Sequence, residues 1–274
     1  AGGLDDRSMQ AIANELNLSE TVFLGEPDGD GAWPTRIFTP RVELPFAGHP
    51  SVGAAVALAV TGRVPTIDGA GRCVLDEAVG PVRVSVHRSG PESGSATLAV
   101  PSTPRRVRSL DRGSAAVMVG LTPSDLGHVA PSVGSAGVDF AVVVVRDVDA
   151  VSRARPSADV EHVYVLAPVD GTPTSARTWR ARMFAPAMGI AEDPATGAAA
   201  AATAGLFAEL DDTGGASRSW TIEQGVEMGR PSRIEVAVER PTGSAPIAAS
   251  IGGAALIIGS CRLHVPHDET TSRE

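Results

Sequence analysis

Three ionisable side chains stand where the sequence passes from polar to apolar segments: Glu20, His49 and Asp193. Glu20 opens a strand-like run, and His49 and Asp193 directly precede Pro50 and Pro194, at which apolar helices are predicted to start. Carboxylates and imidazoles are the groups that most often carry protons in general acid–base catalysis. These residues are therefore the first candidates for chemistry that moves a proton.

Each of the three also has an ordinary structural interpretation. A Glu that follows Ser at a loop-to-strand junction is most often solvated or part of a turn. Asp193 is by default a helix N-cap, and His49 is equally a cap or a packed ring. Capping leaves room for a ligand, because a carboxylate has two oxygens and can accept a second hydrogen bond. The residue types alone leave both interpretations open.

Two stretches that repeat one design must position these side chains. Residues 36–62 and 182–210 each contain an apolar run, a polar turn and a proline, followed by a helix rich in Ala and Val. Capping preferences and helix propensity predict that the second helix begins at Asp193 or Pro194 and the first at about Pro50. Neither helix has a polar stripe, so both are expected to be buried on all sides.

The first turn of the second helix carries only small residues. Thr196, Gly197 and Ala198 leave its free backbone N–H groups open to an anionic ligand. Around both helices, short alternating runs separated by Gly and Pro predict strands that are mainly antiparallel. A further amphipathic helix is predicted over residues 5–16, and a polar, frayed tail over residues 264–274.

Five motifs of this sequence occur in the order found in one known family. They are SETVF (19–23), FTP (38–40), ELPFAGHP (43–50), EDPATG (192–197) and QGVEMGRPS (224–232). On these motifs the chain resembles the PhzF-like family of phenazine biosynthesis from about Leu4 to Leu263. A single motif such as GHP is weak evidence, whereas five in sequence are strong.

The resemblance implies the fold of diaminopimelate epimerase. This is an α+β fold of two pseudo-symmetric half-barrels, each made of mainly antiparallel strands wrapped round a central apolar helix. A length of 274 residues also favours two domains. We expect an N-terminal half-barrel over residues 1–108, a C-terminal half-barrel over 109–265 and a tail over 266–274, with the linker in the Pro/Arg/Ser-rich stretch 101–114. The family normally has one more strand, with a Gly-Asn-Pro turn, before the first helix. If that strand is missing, the first half-barrel lacks an edge strand.

The resemblance also implies a set of site residues in the cleft where the two helix N-termini face each other. Glu20 matches the family's general acid/base, and His49 and Asp193 match residues that orient the substrate. Glu43, a rival acid close to His49, is expected to be structural. The predicted substrate-binding residues are Gly48, His49, Asp193, Thr196, Gly197 and Ala198.

The implied reaction is an isomerisation without a cofactor or a metal. Glu20 takes a proton from an acidic carbon of an unsaturated or cyclic amino-acid-like carboxylate and returns it to another carbon. A carboxylate in water is a feeble base for carbon, so the reaction requires an apolar cleft, for which Phe23 and Phe46 are candidate walls. The family helix normally continues with Ser where this chain has Ala198, so backbone N–H groups alone must hold the substrate, or the substrate differs.

Two further functions remain open at this point. Amino-acid racemases and epimerases of a related fold place a Cys at each helix mouth, but Cys73 and Cys261 lie in strand-like runs, where buried free thiols are expected. A non-catalytic binding protein that keeps the pocket is the other alternative. Proton exchange into a bound ligand would separate an enzyme from such a protein.

Composition narrows the range of partners. The net charge is −9, and the basic residues are scattered without a stripe, which argues against nucleic acid and anionic membranes. There is neither an apolar run of membrane-spanning length nor a signal-like start, so a cytoplasmic location is expected. Gly-rich runs lack dinucleotide or phosphate-loop spacing. We expect a small-molecule substrate, and the resemblance adds a homodimer.

Overall fold

The structure, a computed structural model, describes residues 3–27, 29–210, 217–239 and 247–264. Within these ranges the chain forms five α-helices and fifteen β-strands. The helices are α1 (Asp6–Leu16), α2 (Gly48–Val60), α3 (Arg112–Met118), α4 (Val148–Arg153) and α5 (Gly197–Leu210). The strands are β1 (Thr21–Leu24), β2 (Ala32–Phe38), β3 (Glu43–Leu44), β4 (Ala70–Glu77), β5 (Gly80–Arg88), β6 (Ser93–Ala99), β7 (Arg105–Ser109), β8 (Ser132–Ser135), β9 (Asp139–Val144), β10 (Val163–Pro168), β11 (Thr178–Ala185), β12 (Ile190–Asp193), β13 (Ser217–Gln224), β14 (Ser232–Glu239) and β15 (Ala248–Leu256).

The strand order shows that one arrangement occurs twice. The sheet runs β1-β2-β4-β5-β6-β15-β14-β13-β11-β10-β9-β8-β7, with β3 beside β2 and β12 beside β11. Thus β1 to β6 correspond one by one to β10 to β15. In both sets the second and fourth strands pair in parallel. The two copies join through β6 and β15, which pair antiparallel. The predicted α+β fold of two pseudo-symmetric halves is confirmed.

Each half wraps its strands round one apolar helix, as the sequence predicts. Helix α2 packs against β4, β5, β6 and β15, whereas α5 packs against β7, β8, β9, β14 and β15. In the second half, Phe207 of α5 stacks on Trp179 at 4.4 Å between ring centroids and meets Trp220 edge-on at 5.3 Å. Burying one such ring stabilises the fold by about 1.5–3 kcal/mol.

The local predictions succeed in part. Helix α1 begins at Asp6, capped by the Asp5 side chain, which accepts a hydrogen bond from Ser8 N at 2.8 Å. The predicted cap at Asp193 is wrong, because this residue ends β12 and pairs with Met183, so that α5 begins only at Gly197. Helix α2 begins at Gly48, two residues earlier than expected.

The C-terminal predictions are also mixed. The sheet ends at Leu256, so the prediction that Cys261 lies buried in a strand is wrong, and this thiol is exposed. Cys73 is buried in β4 as expected. The predicted tail 266–274 lies outside the described residues. The predicted boundary at residue 108 falls within β7, which pairs with β8.

None of the helices in the described part of the chain combines the length and the apolar character needed to cross a bilayer.

Candidate active site

The starts of α2 and α5 meet at two glycines. A Cβ atom built on Gly48 would lie 3.0 Å from the Gly197 Cα and 2.8 Å from Ile251 Cδ1, and one built on Gly197 would meet the same partners. Only glycine therefore permits this approach without displacing its neighbours. Ile251 belongs to β15 at the junction of the two halves and lies beneath both helix starts. The helix N-termini, each with free N–H groups and partial positive charge, converge on one place.

Glu20 and His49 meet at this convergence. The Glu20 Oε2 atom lies 2.9 Å from His49 Nε2, and the Glu20 side chain is only 15% exposed. The contact has the length of an ion pair but not the alignment of a hydrogen bond, so the buried Oε2 has no aligned donor among the described residues. The other ring nitrogen, Nδ1, lies 2.8 Å from the carbonyl oxygen of Ala195 in the other half. His49 thus bridges the two halves of the molecule.

The partners of His49 restrict its protonation. A carbonyl oxygen can only accept, so Nδ1 must carry a hydrogen and donate it to Ala195. The negative charge of Glu20, 2.9 Å from Nε2, favours the form of the ring that carries a proton on that nitrogen as well. Burial opposes the charged ring, but the close contact and charge of Glu20, followed by the charge of Asp193, prevail and raise the pKa of His49. The ring still keeps 38% of its side-chain surface exposed, as expected of a group that lines a crowded cleft.

Asp193 approaches the same pair from the second half. Burial raises the pKa of this carboxyl group, and the negative charge of Glu20 acts in the same direction, whereas Thr196 and His49 oppose the rise. The Thr196 hydroxyl donates a hydrogen bond to Asp193 Oδ2. The main-chain oxygen of Thr196 accepts the first helical bond of α5, from Ala200 N at 3.0 Å. Thr196 therefore occupies the cap position that the sequence pattern predicts for Asp193.

Below α2, a buried acid supports the first helix start. Ser51 Oγ lies 2.7 Å from Ala47 O and 2.6 Å from Glu77 Oε1, and Ser51 and Glu77 are both buried. One hydroxyl carries one hydrogen, so both contacts are satisfied when a protonated Glu77 donates to Ser51 and Ser51 donates to Ala47. Burial raises the pKa of Glu77 to about 7, which favours this protonated form. No motif of the sequence indicates this role of Glu77.

The remaining predicted residues are placed as follows. Glu43 forms a bidentate pair with Arg36, at 2.7 Å for both contacts, which supports its structural interpretation. Phe23 is wrong as a cleft wall, because it packs edge-on against Phe38 at 5.5 Å in the cluster under α1. Phe46 and Ala198 are half-buried against the main core. The sequence reasoning thus finds the polar centre of the cleft but misplaces one of its walls.

Two supporting residues were missed altogether. Gln224 and Tyr164 are fully buried beneath the turn 193–196 and are joined by a hydrogen bond of 3.0 Å. Gln224 begins the QGVEMGRPS motif, but the motif by itself does not indicate what this side chain does. Tyr164 is the only tyrosine of the chain and gave no signal of its own.

Comparison with known proteins shows to which family this chain belongs. The sequence model for phenazine biosynthesis-like proteins (PhzC-PhzF) matches residues 1–260. The chain belongs to this family. An uncharacterised isomerase of Mesorhizobium japonicum is 39% identical over 281 residues, covering 96% of this chain and 90% of the relative. A trans-2,3-dihydro-3-hydroxyanthranilate isomerase of Pseudomonas aeruginosa is 32% identical over 250 residues, covering 86% and 81%.

A solved structure of the same family has the same fold. The crystal structure of a PhzF-family phenazine biosynthesis protein from Bacillus anthracis aligns with a TM-score of 0.81 at 22% identity, covering 93% of this chain and 88% of the other. At that identity the likeness concerns the fold alone. Together with the names of the relatives, family membership supports isomerase chemistry for this PhzF-family chain.

Proposed function

We propose that this PhzF-family chain is a cofactor-independent isomerase that moves a proton between two carbons of one substrate, with Glu20 as the proton carrier. The observation that supports this most is the meeting of Glu20, His49 and the Asp193 turn at two facing helix N-termini. A largely buried carboxylate beside a histidine that a carbonyl holds in one tautomer is suited to repeated proton transfer.

The proton transfer needs one acid/base group and groups that stabilise the negative charge that develops on the substrate. The Glu20 carboxylate takes a proton from an acidic C–H, which leaves the electron pair delocalised over the substrate π system. Glu20, now a carboxylic acid whose proton exchanges with solvent, delivers a proton to another carbon of the same system, so the enzyme regains its starting state. Oε2 is turned towards His49, so Oε1 is the oxygen that exchanges the proton with the substrate. The cationic form of His49 and the helix N-termini stabilise the negative charge that develops.

The substrate class follows from the same geometry. Two helix starts with free N–H groups suit a carboxylate, and Asp193 and Glu20 suit an amino or hydroxyl group near it. The substrate named for the Pseudomonas aeruginosa relative, a dihydro-hydroxyanthranilate, has this combination of an acid, an amine and an unsaturated ring. With Ala198 in the first turn of α5, only main-chain donors meet the carboxylate there. We therefore propose this compound or a related unsaturated cyclic amino acid.

Deuterium exchange tests the proton transfer directly. The protein is incubated in D₂O with trans-2,3-dihydro-3-hydroxyanthranilate, and incorporation at carbon and isomer formation are followed by NMR. We expect Glu20→Gln to slow both by about 10²–10⁴-fold, the usual contribution of general acid–base catalysis. The amide keeps the shape of the carboxyl group, so affinity for the ligand should change only a few fold.

Glu43→Gln is the matched control, since Glu43 is a nearby carboxylate engaged by Arg36 outside the cleft. It should retain exchange. Equal exchange in Glu20→Gln and the unaltered protein would remove Glu20 from the mechanism. Tight binding without exchange in either form would instead favour the non-catalytic binding protein.

A further inference from the structure

The side-chain amide of Gln224 lies beneath the turn that carries Asp193. Gln224 ends β13 and has no exposed surface. Its Nε2 lies 2.7 Å from Asp193 O and 2.9 Å from Thr196 Oγ1. Its Oε1 lies 3.0 Å from the Tyr164 hydroxyl and 3.3 Å from Thr196 N. The amide therefore meets both ends of the 193–196 turn.

Main-chain groups dictate which way this amide points. The carbonyl of Asp193 can only accept, and the N–H of Thr196 can only donate. A flipped Gln224 amide would set oxygen against oxygen and N–H against N–H. The assignment of Nε2 and Oε1 thus depends on main-chain partners, whose roles as donor and acceptor are known. For most glutamine side chains the assignment has no such basis.

The orientation of the amide also determines in which direction the Thr196 hydroxyl donates. Oγ1 accepts a hydrogen from Gln224 Nε2, and its own single hydrogen then points to Asp193 Oδ2. Among the described side chains, only Thr196 donates a hydrogen bond to this carboxyl group. Oδ2 already accepts this hydrogen bond and is therefore the less favourable oxygen for a proton or for a substrate donor. Oδ1 is the atom that remains for a proton or for substrate.

We infer that Gln224 is a positioning residue, which acts through Thr196 to present Oδ1 of Asp193 to the substrate. The inference rests on the proposed function for its catalytic consequence, although its structural part does not. Ser232 helps to hold the same turn without touching the side-chain amide, since its hydroxyl donates to Pro194 O at 2.6 Å and otherwise lies 3.3 Å from the main-chain oxygen of Gln224. It therefore offers a control for the general stability of the turn.

The first test follows Asp193 without any substrate. Protein labelled with ¹³C at the aspartate carboxyl carbons is titrated, and the Asp193 resonance is identified by its loss in Asp193→Asn. Thr196→Val should raise the titration midpoint by about one pH unit, the equivalent of one lost hydrogen bond to a charged group. Thr196→Ser, which keeps the hydroxyl, should not move it. Gln224→Met should raise the midpoint in the same direction, and Ser232→Ala should leave it in place.

The second test uses kcat and KM for trans-2,3-dihydro-3-hydroxyanthranilate. Misplacement of a reacting group by about 1 Å can cost up to 10²-fold, so Gln224→Met should lower kcat per folded molecule by about 10–100-fold. In the Asp193→Asn background the same change should have no further effect, because a residue that acts through Asp193 has nothing left to position. A merely structural glutamine would lower stability in both backgrounds and leave kcat per folded molecule unchanged.

Either arm can overturn the inference. An unmoved Asp193 midpoint in Gln224→Met, beside a raised one in Thr196→Val, would show that the amide does not act through the hydroxyl. If Gln224→Met does not fold, equal midpoints in Thr196→Ser and Thr196→Val would still refute it. Absence of isomerase activity in the unaltered protein would count against the proposed function, while the titration would continue to decide the role of Gln224.

Discussion

The two halves of this molecule place different residues at one equivalent position. Glu77 ends β4 and Gln224 ends β13, two strands of eight residues that correspond in the repeated order. Each side chain lies beneath the first turn of its own central helix, where Glu77 meets Ser51 and Gln224 meets Thr196. The Glu77 carboxyl group can ionise, whereas the Gln224 amide cannot. The backbone has been repeated, whereas the polar groups that hold its helix starts have not.

The same asymmetry extends to the cleft. Strand pairing places Thr21 opposite Phe38 and Val163 opposite Phe184, so His162 is the second-half counterpart of Glu20. Ala198 likewise stands where the first half has His49. A two-base racemase needs similar groups on opposite faces of a substrate, one from each half. A single carboxylate with unlike partners is better suited to removing and returning a proton on one face.

The largest difference between the halves should appear in their arginine–glutamate pairs. Arg182 and Glu192 form a bidentate pair at 3.0 and 2.7 Å with 7% and 13% of their side chains exposed, whereas Arg36 and Glu43 are 32% and 35% exposed. Arg182→Met strands a buried carboxylate and should cost about 3–5 kcal/mol. Arg36→Met should cost about 1 kcal/mol or less. Denaturant unfolding of both variants measures the contrast.

The contacts of the two arginines sharpen this prediction. Arg182 also donates to Ser152 O at 3.1 Å and Ala154 O at 3.2 Å at the end of α4, while Arg36 meets the exposed Asp6 at the start of α1. Replacing Glu192 by Met as well should recover part of the loss caused by Arg182→Met, because no unpaired charge then remains. Equal losses in Arg182→Met and Arg36→Met would contradict the distinction between a buried and an exposed pair.

A smaller effect is expected where the halves are alike. Gly48→Ala and Gly197→Ala each force a methyl group into contacts of 3.1 Å or less with the facing helix start and Ile251. Overpacking of this kind costs about 1–3 kcal/mol, and the two losses should be similar in thermal unfolding. Gly53→Ala is the control within α2, because its Cβ would meet nothing within 4 Å. It should be neutral or slightly stabilising, as alanine favours a helix. A cost confined to one of the two glycines would argue against a shared contact.

Sequence patterns anticipate the fold well where the signal is local and repeated. The apolar helices, the capped α1 and the repeat of one design over residues 36–62 and 182–210 depend on composition and spacing, and the structure contains all of them. The start of α5 is missed because Asp193 pairs with Met183 across β11 and β12, and capping rules do not contain such a contact. The predicted cytoplasmic location and homodimer stay predictions.

The site is anticipated less completely, for a physical reason. Glu20, His49 and Asp193 belong to recognisable motifs, and the structure brings them together. Tyr164, Glu77 and most of the role of Gln224 depend on burial and on partners far along the chain. A lone polar residue at a strand end gives no indication of the helix it will support. Comparison of the aligned halves would have been the available signal, since Glu77 and Gln224 end equivalent strands.

The last prediction concerns the side chain beneath the first helix start, Glu77, which is replaced by the residue type found beneath the second. Glu77→Gln replaces the titrating acid by an amide that can donate to Ser51 permanently. The folded pKa of Glu77, about 7, is raised above the ordinary value of 4.5, so the native state holds this proton more tightly than the unfolded chain does. Stability is therefore lost as the pH rises from about 4.5 through 7, and the loss is complete above 7.

Glu77→Gln should remove that loss. We expect a gain on the order of 2 kcal/mol at pH 8, measured by denaturant unfolding, which shrinks towards pH 5 and disappears below about pH 4, where Glu77 is protonated in both states. Asp76→Asn, at the exposed neighbouring position, controls for the general effect of removing one negative charge. A gain that is the same at pH 5 and pH 8, or equal in Asp76→Asn, would mean that long-range charge rather than the Ser51 contact is responsible. A gain confined to high pH would show that the first helix start is supported by a proton where the second is supported by an amide.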